Sequence, residues 1–475
     1  MKNVLLVTLL ALTFWQSRVA RADPPTPDSN ISFYREITTG PDATCVVFEP
    51  FFYGALYCWG RNTYGTVGDG TRSPRSESNP HFIGYDYAEV HTKWSHTCAS
   101  TNFGYIHCWG KNDKGQLGVG DTTDRLSPTL SGGGARYFQI AVGREHTCAI
   151  VGGSTVPFDA NGNGAVRCWG ENGSGQFGVG NNTSSTVPVT GTQKAVSIAA
   201  GYWHTCIIYA TTPNEQTGYT AERRLKCTGW NGGGQLGDNT YTDSNQWVSP
   251  RNSSGQYYSN LNIRQVSAGA QTTCIVGGVT VTTELRCWGR NLNGQVGISG
   301  LSHVPYVPTS PKCMPSGVTY DPNQPASGWA TCNGFKNVAV GDSHTVARWE
   351  AFRSNVSYGI RSVAMGWAGF DQLGQLGTTG GWTDSINLKQ IIEPYGGYTL
   401  PNYSRDSIGI AAGYDNTCVL FYDDAYPWTF SVKCYGPMAP GGYPAPGSPF
   451  WNTMAEASGY TFQYTGIDDG EYTDR

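Results

Sequence analysis

The chain has 475 residues, of which 14 % are charged, with a net charge of −4 and a pI near 6.1. This balance gives no electrostatic case for nucleic acid or for an anionic membrane surface. The 63 Gly do not signal disorder, because 28 Tyr, 17 Phe and 15 Trp supply large apolar bodies to bury.

The first 22 residues read as a secretory signal: Lys2, an apolar run of 12 from Val4 to Trp15, and Ala20-Arg21-Ala22 before the cut. That run is too short to span a bilayer, which needs about 20 apolar residues. Residues 23–31 form a Pro-rich leader (Pro24, Pro25, Pro27), a flexible tether. Residues 32–475 are expected to be a single domain, because two landmarks recur through them seven times. The first landmark reads Ala43-Thr44-Cys45, His96-Thr97-Cys98, His146-Thr147-Cys148, His204-Thr205-Cys206, Thr272-Thr273-Cys274, His344-Thr345-Val346 and Asn416-Thr417-Cys418. The second reads Cys58-Trp59-Gly60, Cys108-Trp109-Gly110, Cys168-Trp169-Gly170, Cys227-Thr228-Gly229, Cys287-Trp288-Gly289, Trp367-Ala368-Gly369 and Cys434-Tyr435-Gly436. A repeat of this size is one supersecondary unit, stacked or set in a ring.

Each copy reads as short strands divided by turns. In the third, Tyr137 to Ala141, His146 to Val151 and Ala165 to Trp169 are strands, and Val187-Pro188-Val189 is an outer edge strand that tolerates proline. The pattern predicts an all-β chain of four-stranded antiparallel sheets arranged radially, a seven-bladed β-propeller. Residues 305–333 interrupt blades five and six with a Pro-rich insertion. Residues 437–475 form an irregular tail in which Tyr460 to Tyr464 supplies a last strand.

Fourteen Cys behind an export signal predict disulfides. Copy six loses both landmark cysteines together, as a pair bonded within one copy would. The expected bonds are Cys45–Cys58, Cys98–Cys108, Cys148–Cys168, Cys206–Cys227, Cys274–Cys287 and Cys418–Cys434, with Cys313–Cys332 closing the insertion. Opposed residues on antiparallel strands lie about 4.5 to 5.5 Å apart, within reach of such a bond. No Cys-x-x-Cys occurs, so metal ligation by these cysteines is not expected.

The run from His96 to Gly118, His-Thr-Cys-Ala then Cys108-Trp109-Gly110 then Gly115-Gln116-Leu117-Gly118, resembles the regulator of chromosome condensation repeat. It is similar to the Cys-paired variant found in exported proteins. The resemblance covers residues 33 to 436 and implies seven blades of four strands.

The repeated His and Trp residues are expected to be structural, the His through a hydrogen bond within its blade and the Trp through packing between blades. The positions that the repeat leaves free lie just before the His landmark. They give the candidate partner-binding residues Trp94, Ser95, Arg144, Glu145, Tyr202, Trp203, Asp342, Tyr414 and Asp415. Equivalent loops of a propeller project at one end of its axis, so these nine would ring one face, mixing aromatics with charge as a recognition surface does; the bland alternative is a set of unrelated loop residues. Asp159 to Gly164 resembles half a calcium loop but lacks its closing glutamate and reads as a turn. No cofactor, metal site or catalytic motif is expected. The expected role is a binding protein that is secreted, periplasmic or at the cell surface, monomeric, with an extracellular protein partner. The alternatives are a glycan-binding propeller or, by family analogy alone, a guanine-nucleotide exchange factor.

Overall fold

A computed structural model describes residues 34–48, 54–76, 79–152, 158–211, 222–257, 262–278, 284–297, 301–307, 312–313, 330–331, 335–352, 361–369, 385–391, 406–414, 416–423, 429–435 and 461–463. The expected signal segment and leader lie outside these residues. The chain divides after Ser32, and the unit Phe33–Arg475 holds every described residue.

Seven sheets follow one another along that unit, over residues 34–84, 87–130, 137–195, 197–248, 262–304, 335–391 and 406–463. Six are four-stranded antiparallel sheets with each strand beside its chain neighbour. In the sixth, the short strands Lys312–Cys313 and Ala330–Thr331 from the insertion add to the edge, the first running parallel to Ser385–Ile391. Cys332, expected to pair with Cys313, lies outside the described residues. Thr461–Gln463 pairs with Thr429–Ser431 and completes the seventh blade from its own chain. The first strands of successive blades lie side by side, and that of blade 7 returns to that of blade 1. The chain is a seven-bladed propeller.

The six landmark cysteine pairs are bonded within their blades, with Cα atoms 4.0 to 4.2 Å apart. The ladder explains why. Each pair is directly opposed between the second and third strands, as in Cys148↔Cys168, and in blade 6 the same register sets Val346 against Trp367.

Blades are joined by polar groups that the repeat places in register. The His of one blade meets the Thr of the next: His96 Nε2 to Thr147 Oγ1 at 2.9 Å, His146 to Thr205 at 3.0 Å, His204 to Thr273 at 2.9 Å and His344 to Thr417 at 2.7 Å. This bond therefore crosses between blades, which corrects the expectation of a bond inside one. Two of these Thr hydroxyls in turn donate to the preceding blade, Thr147 to Gln116 O at 2.8 Å and Thr273 to Gln235 O at 2.9 Å. A hydroxyl that gives its proton to a carbonyl must accept from the imidazole, so Nε2 carries the hydrogen, and a buried ring whose Nδ1 has no partner among the described residues stays neutral. Burial agrees, pushing His96, His146 and His204 down to about 3 and His344 to about 4. At the ring closure Asn416 Nδ2 donates to Thr39 Oγ1 at 2.7 Å in place of a histidine.

The repeated Trp packs between blades, as expected. Trp109, Trp169 and Trp288 are fully buried, and their indole N–H groups reach Thr66 O, Gln116 O and Gln235 O on the preceding blade at 2.7 to 3.0 Å. Gly118 shows why that loop needs glycine. Its φ is +65°, and a Cβ there would sit 2.6 Å from Trp169 Nε1.

Candidate functional site

The loops between the first and second strands carry the nine candidate residues, and the backbone links these loops from blade to blade. Arg144 N donates to Tyr202 O and Tyr202 N to Ala270 O at 3.3 Å, while Asp342 N donates to Gly413 O at 3.1 Å. From this rim the side chains reach inward over the axis. Trp94 of blade 2 meets Tyr202 of blade 4 at 5.6 Å and Tyr414 of blade 7 at 5.8 Å, both edge to face. Tyr202 packs on Trp203, and Trp203 on Trp230, at 5.5 and 5.6 Å. The Tyr202 hydroxyl donates to Asp342 Oδ2 of blade 6. Arg144 lies among these rings, its guanidinium carbon 4.3 Å from the Trp94 centroid, 5.0 Å from Trp203 and 5.3 Å from Tyr202. Its buried Nε has no hydrogen-bond partner among the described residues.

Six of the nine candidates thus converge: Trp94, Arg144, Tyr202, Trp203, Asp342 and Tyr414. Ser95 is fully buried beneath them. Glu145 is half-buried and faces Lys111, while Asp415 lies outside the described residues. The cluster is partly closed upon itself, since Tyr202 is 6 % exposed whereas Tyr414 is 37 % exposed. Burial, with Asp342 beside it, raises the Tyr202 phenol far above its ordinary range. The equivalent position in blade 1 is structural: Asp42 accepts from Thr63 N at 2.9 Å, Tyr64 N at 3.1 Å and Thr66 Oγ1 at 2.7 Å.

Blade 2 departs from its neighbours. Gly40, Gly143, Gly201, Gly269, Gly341 and Gly413 occupy the position where it has Lys93. Lys93 pairs with His96, which leaves Trp94-Ser95 as a two-residue turn with Trp94 at φ 50°. A bulky side chain in that region costs roughly 1 to 3 kcal/mol, and such strain collects at functional sites. The Lys93 ammonium crosses the axis and donates to Ala200 O at 2.9 Å and to Ala268 O. Burial lowers it to about 8 despite the opposing pull of Asp342. Lys93 and Trp230 were not among the candidates. The lone Lys among six glycines signalled the first, whereas nothing in the repeat marked Trp230.

Further down the same strand His91 stands between two glutamates, its Nε2 2.8 Å from Glu89 Oε1 and 3.5 Å from Glu36 Oε1. Burial raises Glu36 to about 7; it opposes the charge on His91 too, yet the two carboxylates hold that imidazole up at about 9. The Asp159 loop is a turn: Asp159 Oδ1 accepts from Asn161 N at 3.0 Å and Asn163 N at 2.9 Å.

The family model described as the regulator of chromosome condensation (RCC1) repeat matches residues 104–150 and 163–208, and a second model of the same repeat matches 90–116. Comparison with curated proteins finds no match. Among solved structures, Prp20p from Saccharomyces cerevisiae, described with its binding to Gsp1p and histones, superposes with a TM-score of 0.57 at 18 % identity, covering 85 % of this chain and 82 % of Prp20p. Human WBSCR16 superposes at 0.56 with 16 % identity, covering 80 % of this chain and 88 % of that one. At these identities the likeness speaks for the fold alone. Residues 90–150 and 163–208 thus carry the regulator of chromosome condensation repeat, and the described blades share the propeller fold of these structures.

Proposed function

We propose that this chain is an exported, non-catalytic propeller that captures a protein partner at the axial mouth lined by Trp94, Arg144, Trp203 and Tyr414. The observation that carries the reading is the Arg144 guanidinium, stacked among three aromatic rings with its Nε unsatisfied. Arginine and aromatics held in one well-packed patch are the composition of interface hot spots. The strained Trp94 and the exposed Tyr414 add to it. Six intra-blade disulfides suit an oxidising compartment, in keeping with the signal read at residues 1–22.

The test is capture from cell-surface and culture fractions by the oxidised protein, compared with Arg144→Ala and Tyr414→Ala variants of unchanged circular dichroism. Specific partners should be lost from both variants and be insensitive to free sugars. Equal recovery by wild type and variants would remove the mouth as the site, and elution by a sugar would replace the protein partner with a glycan.

A further inference from the structure

We propose that Glu36, Glu89 and His91 form a binding site for a divalent transition cation, zinc in the first instance, where the innermost strands of blades 1, 2 and 3 meet. Imidazole and carboxylate are zinc ligands with bonds of about 2.0 to 2.2 Å, which puts tetrahedral donors roughly 3.3 Å apart. One oxygen of each glutamate and His91 Nε2 all lie within 4.8 Å of one another. The two contacts to the imidazole bracket that tetrahedral spacing, so small side-chain shifts would admit the ion. An imidazole donor disfavours calcium and magnesium, which take oxygen ligands.

The carboxylates are already aimed. Glu36 Oε2 accepts from Val90 N and Glu89 Oε2 from Ile140 N, each at 3.1 Å, so backbone groups of blades 2 and 3 hold one oxygen and leave Oε1 toward the histidine. Such outer partners orient metal ligands.

The repeat supplies the control that separates a ligand set from an ordinary blade clasp. At the equivalent position Gln139 accepts from Ile198 N at 3.0 Å and Gln265 from Val338 N at 2.9 Å, so the clasp needs no charge. Glutamates take the position in the two blades whose side chains flank His91. The position of His91 itself, opposite the first landmark cysteine, is Thr38, Ala141, Ala199, Ser267, Ala339 or Ala411 in the other blades. The competing account is a closed ion cluster with a protonated His91. Lys93 is the nearby cation that opposes metal, and its ammonium is drawn away to carbonyls of blades 4 and 5.

The full-length protein, stripped with chelator, is titrated with zinc chloride by calorimetry and with cobalt(II) followed in the visible region. A single saturable zinc is expected, with a cobalt spectrum of near-tetrahedral intensity. Glu36→Gln and Glu89→Gln keep the backbone clasp, and each should weaken zinc by on the order of 100-fold. Gln265→Glu, in blade 5 and so well away from His91, should leave affinity unchanged. Absence of saturable zinc binding by the wild type overturns the proposal, and so does equal affinity in the Glu36→Gln/Glu89→Gln double variant. Neither result touches partner capture at the mouth.

Discussion

The innermost strands of blades 2 and 3 hold the same register to their second strands, yet they present different chemistry to the axis. Blade 3 offers Gln139, Ala141 and Gly143; blade 2 offers Glu89, His91 and Lys93. Both strands satisfy the fold, since each continues into a buried His-Thr-Cys strand and an opposed cysteine pair. The blade 3 set is neutral and serves the fold alone, through packing and the clasp of Gln139 on Ile198 N. The blade 2 set is long and charged; Lys93 crosses the axis, and its pairing with His96 leaves Trp94 in a tight turn at positive φ. Within a repeat, what is common specifies the architecture and what departs from it marks where that architecture is used.

Exchanging residues between the two blades should give the largest effect. A Cβ at Gly143 would meet the His146 ring at 2.2 Å and Gly201 O at 2.8 Å. Gly143→Ala should therefore cost about 3 kcal/mol, the upper end of overpacking penalties, read from urea unfolding with the disulfides intact. A change below about 0.5 kcal/mol would mean that blade 3 can adopt blade 2's turn, and the contrast would shrink to a matter of side chains.

The cross-link gives the next largest effect. Blade 6 folds with Val346 opposite Trp367, so the bond is not required for the ladder. Cys148→Ala with Cys168→Ala should cost about 3 kcal/mol through the freed loop while leaving the β-sheet circular dichroism unchanged.

Below these stands the histidine relay. His146→Asn copies what Asn416 does at the ring closure, and should cost about 1 kcal/mol at pH 7.5. The acid response carries the sharper reading. The buried histidines titrate near 3 to 4 when folded, against 6.5 for the ordinary side chain. The unfolded chain therefore takes up protons first as pH falls below 6.5, and stability drops until the folded rings titrate. Each ring contributes up to about 1.4 kcal/mol per pH unit across that window. His146→Asn should remove one such contribution, measured as a shallower fall in unfolding free energy between pH 6 and pH 4. An unchanged slope would place the proton elsewhere.

The blades, their strands and the six pairings were legible because the repeat states them several times over, and the paired loss in copy six even separated bonds within a blade from bonds between blades. The convergence over the axis was legible only as a rim. That Trp94 touches side chains two blades away on either side is a matter of ring diameter and side-chain length, which a local period does not encode. Compensation was hidden for the same reason. Blade 4 has Thr228 where four other blades have Trp, and Trp247 from its outer strand fills the place against Gly178. The histidine bond points to the wrong partner when read from one copy, because that copy carries its own Thr beside the His while the acceptor is the Thr of the next.

The smallest expected change in stability belongs to the aromatic that packs closest on the Arg144 guanidinium. Trp94→Gly would relieve the strain of φ 50° and forfeit the contacts with Tyr202, Tyr414 and Arg144. Relief of roughly 2 kcal/mol against three contacts worth roughly 1 kcal/mol each leaves a net loss of about 1 kcal/mol at the central values. Partner capture should nevertheless be abolished, because the Arg144 guanidinium loses its nearest ring and the mouth its centre. If stability falls by several kcal/mol instead, Trp94 is a plug that the propeller needs, and the departure of blade 2 is an axial brace rather than a recognition surface.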